Sequence, residues 1–272
     1  MVEDTGLLAP QRRALILDRV RRDGAVRVAE LADRFGVSDM TVRRDLEALA
    51  RTGAIEKTYG GAVVSTLVEE PDFEAKSRLE PSAKEALASA AAALVEPGSV
   101  VAVGAGTTAY AVARQLLDIP GLTLVTNSLP VADLVRTAAE NGNGNAPVLL
   151  LTGGTPTPSA ALVGPLADQA IRSLHTDTLI IGAHGVCERA GLTTPNLAEA
   201  QTNRTLIASA RRVVVVADHS KWDVVGLSAF ATLPEIDCFV TDAELAPAAQ
   251  AVLSETTGRL VLVRTSPPAP AT

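Results

Sequence analysis

Cysteine is nearly missing from this chain, and its scarcity removes whole classes of protein from consideration. Cys187 and Cys238 are the only two in 272 residues. They lack the close spacing of tetrahedral metal sites and are read as small buried hydrophobes rather than a disulfide. Histidine is sparse too: His175, His184 and His219 are scattered, no Cys/His cluster suggests zinc, and neither a metal nor a cofactor is expected. Long apolar runs are absent, since every stretch of membrane-spanning length contains a Gly, Pro or charge and Leu87 to Val95 is too short and alanine-rich. With no secretory pattern at the N-terminus, a cytoplasmic protein without membrane partners is expected. Excess positive charge is also missing, the formal net charge being −7, so the chain as a whole repels polyanions.

What is present begins with Val37-Ser38-Asp39-Met40-Thr41-Val42-Arg43-Arg44-Asp45-Leu46. Ser38 is placed to cap a helix whose Val42, Leu46 and Leu49 recur at helical spacing and face a core. Asp39, Thr41, Arg43 and Arg44 are left mostly outside. Val28 to Phe35 reads as a second short helix packed through Leu31 and Phe35, and Gly36 supplies the positive-φ residue of a tight turn. A further helix, Gln11 to Arg22, starts near Pro10 and offers Leu15, Ile16 and Val20. After the arginines, Ala54-Ile55-Glu56-Lys57 and Ala62-Val63-Val64 form a hairpin turned by Gly60-Gly61, with Lys57 and Tyr59 near its tip. Three helices and a hairpin make a winged helix-turn-helix. Thr41, Arg43 and Arg44 are assigned to bases and phosphates, Ser38 and Lys57 to the DNA backbone, and Tyr59 to phosphate or the minor groove. Adjacent arginines on a helix are more often only a solvated face; here the surrounding helices and hairpin favour DNA.

Charge is unevenly distributed. From Pro10 to Gly61 there are eleven Lys/Arg and eight Asp/Glu, a balance of +3, which leaves −10 for the remainder. Binding to DNA must therefore rest on clustering of Arg12, Arg13, Arg43, Arg44, Arg51 and Lys57, and should weaken with salt.

The segment from Arg12 to Ala62, with Ser38, Thr41-Val42-Arg43-Arg44-Asp45-Leu46 and Gly60-Gly61-Ala62, resembles the DNA-binding domain of the DeoR family of bacterial transcriptional regulators. Tyr59 stands where many members carry His. The resemblance implies double-stranded operator DNA as a partner.

The chain has room for about two domains. Residues 1–64 are read as the head and 65–83 as a linker, interrupted by Glu69-Glu70-Pro71-Asp72 and Glu80-Pro81-Ser82. Phe73, Arg78 and Lys84 follow the spacing of the family's inter-domain stretch, so part of this segment is expected to pack. Residues 84–265 are read as a second domain; 266–272, and Asn141 to Asn145, are read as disordered.

In the second domain, β-branched runs alternate with amphipathic ones: Val100 to Val103, Thr123 to Thr126, Val148 to Thr152, Thr178 to Gly182, Val213 to Ala217, Phe239 to Thr241 and Leu260 to Val263. Continuous apolar strands separated by helices predict an open, mostly parallel α/β sheet covered on both faces. Ligands in such folds bind beyond the carboxyl ends of the strands, where Gly104-Ala105-Gly106-Thr107-Thr108, Thr126-Asn127-Ser128 and Thr152-Gly153-Gly154-Thr155 supply glycine and hydroxyls. Such turns are also common for geometric reasons, but their repetition suits a polyhydroxylated phosphate ester. Gly182-Ala183-His184-Gly185, Gly191-Leu192-Thr193-Thr194, Glu199 and Asp218-His219-Ser220-Lys221 follow, with Lys221 available to phosphate or as an ion-pair partner of Asp218.

These loops resemble the family's C-terminal sensor, which is similar to ribose-5-phosphate isomerase and binds phosphorylated sugars or related metabolites. The resemblance implies an effector site at Gly106, Thr107, Thr108, Asn127, Ser128, Gly153, Gly154, Glu199, Asp218 and Lys221. Gly104 stands where the family usually carries Asp, removing a carboxylate that would read ligand hydroxyls. The expectation is a repressor of a carbohydrate operon, acting as a homo-oligomer released from its operator by a phosphorylated sugar. The rivals are a sugar-phosphate isomerase or deaminase using Asp218, Glu199, His184 and Lys221 as acid and base, and a DNA-binding protein whose body only oligomerises.

Overall fold

A computed structural model describes residues 9–23, 25–51, 55–58, 60–64 and 73–265. The chain divides into two compact units, Met1–Glu69 and Glu70–Thr272. Tyr59 at the hairpin turn, Ala54 at the start of the hairpin, residues 65–72 and the tail 266–272 lie outside the described residues, and the expectations placed on them lie there too.

The first unit runs α1 (Ala9–Asp23), β1 (Ala25–Arg27), α2 (Val28–Phe35), α3 (Asp39–Arg51), β2 (Ile55–Thr58) and β3 (Gly61–Val64). Gly36 ends α2 in the left-handed conformation at φ 62, its N–H donating to Ala32 O, as a tight inter-helix turn demands. Ser38 Oγ accepts the N–H of Thr41 at 3.2 Å and so opens α3. Ile16, Val20, Leu31, Phe35, Val42, Leu46, Leu49 and Ile55 close a single core. The sequence reading missed β1, whose three residues add a third strand to the hairpin in the order β1-β3-β2. Gly61 permits it, because a Cβ there would stand 2.0 Å from Val26 O.

The second unit begins with α4 (Phe73–Ser77) and α5 (Pro81–Ala92), both starting within the stretch read as a linker, and continues β4 (Val100–Val103), α6 (Thr107–Leu116), β5 (Thr123–Thr126), α7 (Leu129–Glu140), β6 (Val148–Leu151) and the short β7 (Thr155–Pro156) and β8 (Leu162–Val163). It goes on through α8 (Pro165–Arg172), β9 (Thr178–Ile181), β10 (Gly185–Cys187), β11 (Gly191–Thr194), α9 (Leu197–Ser209), β12 (Val213–Val216), β13 (Ser228–Ala231), β14 (Cys238–Asp242), α10 (Pro247–Thr256) and β15 (Leu260–Val263). Seven strands form one sheet in the order β15-β14-β12-β9-β4-β5-β6, every neighbouring pair parallel. One face buries Leu87, Val101, Val103, Val112 and Val131; the other buries Leu179, Ile181, Leu206, Val215 and Leu253. Burial on both sides is what uninterrupted apolar strands require.

Gly182 to Gly185 and Gly191 to Thr194, read as loops, run in part as strands: Gly185–Cys187 and Gly191–Thr194 pair antiparallel, and the latter continues to β13. Asn141 to Asn145 is a hydrogen-bonded turn: Asn143 N–H donates to Ala138 O and its Nδ2 to Leu117 O. Cys238 is fully buried, and burial pushes its thiol up from the ordinary value; Cys187 is half-buried, and both are free. Among the described residues, no helix is long and apolar enough to cross a membrane.

Candidate functional site

In the first unit, α3 presents Asp39, Met40, Arg43, Arg44 and Glu47 to solvent while Val42, Leu46 and Leu49 are buried. Ser38 and Thr41 share a hydroxyl–hydroxyl bond of 2.9 Å, so the cap is tied to the first outward-facing threonine. Lys57 is exposed on β2, its Nζ 3.7 Å from Glu47 Oε1 on α3. Two of the cations expected in the DNA-facing cluster are engaged elsewhere: Arg12 Nε and Arg13 Nε donate to the two carboxylate oxygens of buried Asp45 at 2.6 and 3.0 Å. They lock α1 onto α3, while Arg43 and Arg44 remain exposed on α3.

In the second unit, chain order reverses between β4 and β9, so their carboxyl ends splay the following loops apart and open a crevice. A pocket of about 100 Å3 lies there. Ala105 and Gly106 line it from the loop after β4, Thr107 to Ala109 from the first turn of α6, Gly182 to His184 from the loop after β9, and Lys221 from the segment after β12. Gly106 precedes α6 at φ 114, without a side-chain cap. Among the described residues, the first intrahelical bond is Tyr110 N–H to Gly106 O, which leaves the N–H groups of Thr107, Thr108 and Ala109 at the pocket without intrahelical acceptors.

Three lysines complete the wall: Lys76, Lys84 and Lys221. Lys84 is buried, and burial pushes its ammonium below the usual lysine range, with nearby Asp218 opposing and Lys221 reinforcing that shift. Glu199 is the carboxylate in the lining, but its oxygens are occupied. Oε1 accepts Thr157 Oγ1 at 2.6 Å and Ser159 Oγ at 2.5 Å, while Oε2 accepts Thr194 Oγ1 at 3.2 Å. Glu199 thus fastens the segment after β7 against α9 and the end of β11. Asp218, also buried, accepts Ser220 N–H and Oγ; among the described residues it makes no ion pair with Lys221.

Of the expected effector residues, the pocket brings together Gly106, Thr107, Thr108, Glu199 and Lys221, with Asp218 beside them. Asn127, Ser128, Gly153 and Gly154 are not in the lining. Asn127 Nδ2 donates to Leu162 O and Ser128 caps α7 through Val131 N–H, so both hold the loops behind the pocket. Gly154 gives β8 room, since a Cβ there would stand 2.7 Å from Val163 O. At Gly104 a Cβ would lie 3.1 Å from Ile181 Cγ1, so isoleucine fills the space that an aspartate would need. Histidine also differs from the reading: His219 is tied to Asp242, its Nδ1 lying 2.9 Å from Oδ1, with Glu244 Oε2 3.8 Å from Nε2.

Lys76 and Lys84 were not foreseen as pocket residues. A lysine in the first turn of a helix reads as solvated, and nothing in the sequence shows that Lys84 Nζ finds acceptors in Lys76 O and Leu79 O.

Two family models match this chain, the DeoR-like helix-turn-helix domain over residues 12–67 and the DeoR C terminal sensor domain over residues 80–243. The chain belongs to the DeoR family. It is a helix-turn-helix transcriptional regulator with a sensor domain, and its relatives match along nearly their whole length. The chain is 34% identical over 248 residues to the uncharacterized HTH-type transcriptional regulator YgbI of Escherichia coli (strain K12), covering 91% of this chain and 95% of that one. It is 33% identical to the putative aga operon transcriptional repressor of Escherichia coli O157:H7, covering 85% and 86%, and 35% identical to the HTH-type transcriptional regulator GlpR of Haloferax volcanii, covering 88% and 92%. Among solved structures, ribose 5-phosphate isomerase A of Methanocaldococcus jannaschii aligns with 51% of this DeoR-family chain and 53% of its own, at 20% identity and a TM-score of 0.38.

Proposed function

We propose that this DeoR-family protein represses a carbohydrate operon and is released from its operator by a phosphorylated sugar. The observation that carries the reading is the pocket at the reversal of strand order, where an uncapped helix N-terminus and three lysines face a wall of hydroxyls. That combination offers N–H donors and ammonium groups to a phosphate and hydrogen bonds to a sugar. On this reading Gly106, Thr107, Thr108 and Lys221 hold the ester group, and Ser38, Thr41, Arg43, Arg44 and Lys57 meet DNA. The relatives' names support the repressor role, one of them being named for the aga operon.

The site is read as a receptor and not an enzyme. Proton transfer at carbon needs a carboxylate aimed at the substrate, whereas the oxygens of Glu199 already accept three hydroxyls. Thermal denaturation of the full chain tests the receptor: ribose 5-phosphate or another phosphorylated sugar should raise the midpoint in a saturable way, and the same sugar without its phosphate should not. A panel that leaves the midpoint unmoved would count against the sensor reading.

A single small head contacts too few base pairs for genomic specificity, so we infer a homo-oligomer, at least a dimer. The edge strand β6 supports pairing with a second copy. Val148, Leu150 and Leu151 are exposed on it, among the described residues its outer edge has no strand partner, and no charged residue occurs from Asn141 to Ala167. Charges are what natural edge strands use to prevent such pairing. Sedimentation of the native chain should give a mass of at least two chains, and Leu150→Lys should shift it toward one; an unchanged mass would place the interface elsewhere.

A further inference from the structure

Lys84 is a buried polar group of the second unit whose two hydrogen bonds the foregoing roles leave unused. Its Nζ donates to Lys76 O and to Leu79 O, both at 2.5 Å. Those carbonyls belong to the segment that leads out of the DNA-binding head. Within it, Glu80 takes the left-handed conformation at φ 45, ψ 50, which a residue with a Cβ adopts only under constraint. The upstream end is anchored to α6, the helix whose first residues line the pocket: Phe73 packs edge-on against Tyr110, ring centroids 5.4 Å apart, and Ser77 Oγ donates to Phe73 O. An ammonium has three donors. Among the described residues two are used here, on an atom whose residue lines the pocket with Gly106, Thr107 and Lys221.

We propose that Lys84 is the coupling residue between ligand and connector, its ammonium clamping the kinked segment from Lys76 to Glu80 when the pocket is empty and turning to the anionic group of the ligand when it is filled. The inference rests on the reading that this pocket takes a phosphate ester. A phosphate oxygen accepts a charge-assisted hydrogen bond far better than a neutral amide carbonyl does. Moving Nζ toward it weakens the bonds to Lys76 O and Leu79 O, and the strained backbone at Glu80 is then free to relax. Burial favours the transfer further, because the ammonium is held below its ordinary pKa for want of a counter-charge close enough to offset desolvation, and the ligand brings one. The connector thereby becomes the first element of the chain to sense occupancy, and the structure assigns its release to one side chain.

Hydrogen exchange of the full chain tests this, with inorganic phosphate and ribose 5-phosphate as probes. In the native protein, saturating ribose 5-phosphate should speed exchange of the Leu79 and Lys84 amides, which donate to Lys76 O and Glu80 O, by at least about fivefold. Lys84→Met should exchange quickly at both amides without ligand and show no further response. Because a buried substitution can impair folding, Glu80→Gly supplies an independent arm: it removes the strain at φ 45, so ligand should still bind while the exchange response shrinks to less than about twofold. Ligand binding with unchanged connector exchange in the native protein, or a full response in Lys84→Met, would overturn the clamp and leave the sensor standing. Failure of the native protein to bind either probe would overturn the sensor reading itself, and the clamp with it.

Discussion

Asp45→Ala should unfold the DNA-binding head and leave the sensor intact. Asp45 is buried, its side chain 3% exposed, and it accepts both Arg12 Nε and Arg13 Nε. Removing the carboxylate takes from the Arg12 guanidinium, itself 10% exposed, the buried acceptor that ties α1 to α3. Breaking a buried pair by deleting one partner costs about 3–5 kcal/mol, and a head of some 60 residues has roughly 3–9 kcal/mol of stability in total. The substitution therefore removes most of the margin. Two optical signals separate the units, because the single tryptophan, Trp222, packs against the sensor core. Far-ultraviolet dichroism should show an early loss of helix in Asp45→Ala while the tryptophan transition stays in place. Coincident, unshifted transitions would mean that the three-residue cluster contributes little.

One position earlier, the effect should invert. Arg44→Ala should leave both transitions where they are and abolish specific binding to operator DNA. Arg44 is exposed on α3, and alanine is the better helix former, so stability should change by no more than about 0.5 kcal/mol. A bidentate arginine–base contact carries about 1–3 kcal/mol of discrimination per head, and a two-headed complex loses it twice. Electrophoretic shift at fixed salt should show native-like non-specific binding with the specific band weakened by one to a few orders of magnitude. Retained specificity would place base recognition on Thr41 or Arg43, and a drop in stability would make Arg44 structural.

The contrast between these neighbours shows where the sequence is legible. Apolar spacing along α3 separates Val42 and Leu46 from Arg43 and Arg44, and unbroken runs such as Val213–Val216 mark strands buried on both faces. Gly36 and Ser38 mark the turn because only certain residues satisfy its backbone demands. Pairings between distant residues leave no such trace. Arg12 and Asp45 are 33 positions apart, so a basic pair on α1 read as part of a DNA-facing cluster. Likewise β11 read as a loop, because Gly191 and two threonines have no strand-like pattern until Ala231 comes alongside. The placement of Lys84 was hidden for the same reason, its acceptors Lys76 O and Leu79 O standing eight and five residues upstream. At the sheet edge, Gly106 to Thr108 were legible from the strand-to-helix turn, while Asn127 and Ser128, also small and polar, hold a neighbouring loop instead.

Regulation by this protein requires coupling between the pocket at the strand reversal and the arginine-bearing helix. Titrating the native full-length chain, bound at constant ionic strength to duplex DNA from its own promoter region, with phosphorylated sugars measures that coupling directly. Binding should be lost saturably with at least one phosphorylated sugar and retained with its unphosphorylated counterpart. Operator affinity that stays constant across the whole series, in a protein that demonstrably binds those sugars, would mean that the pocket does not control the head.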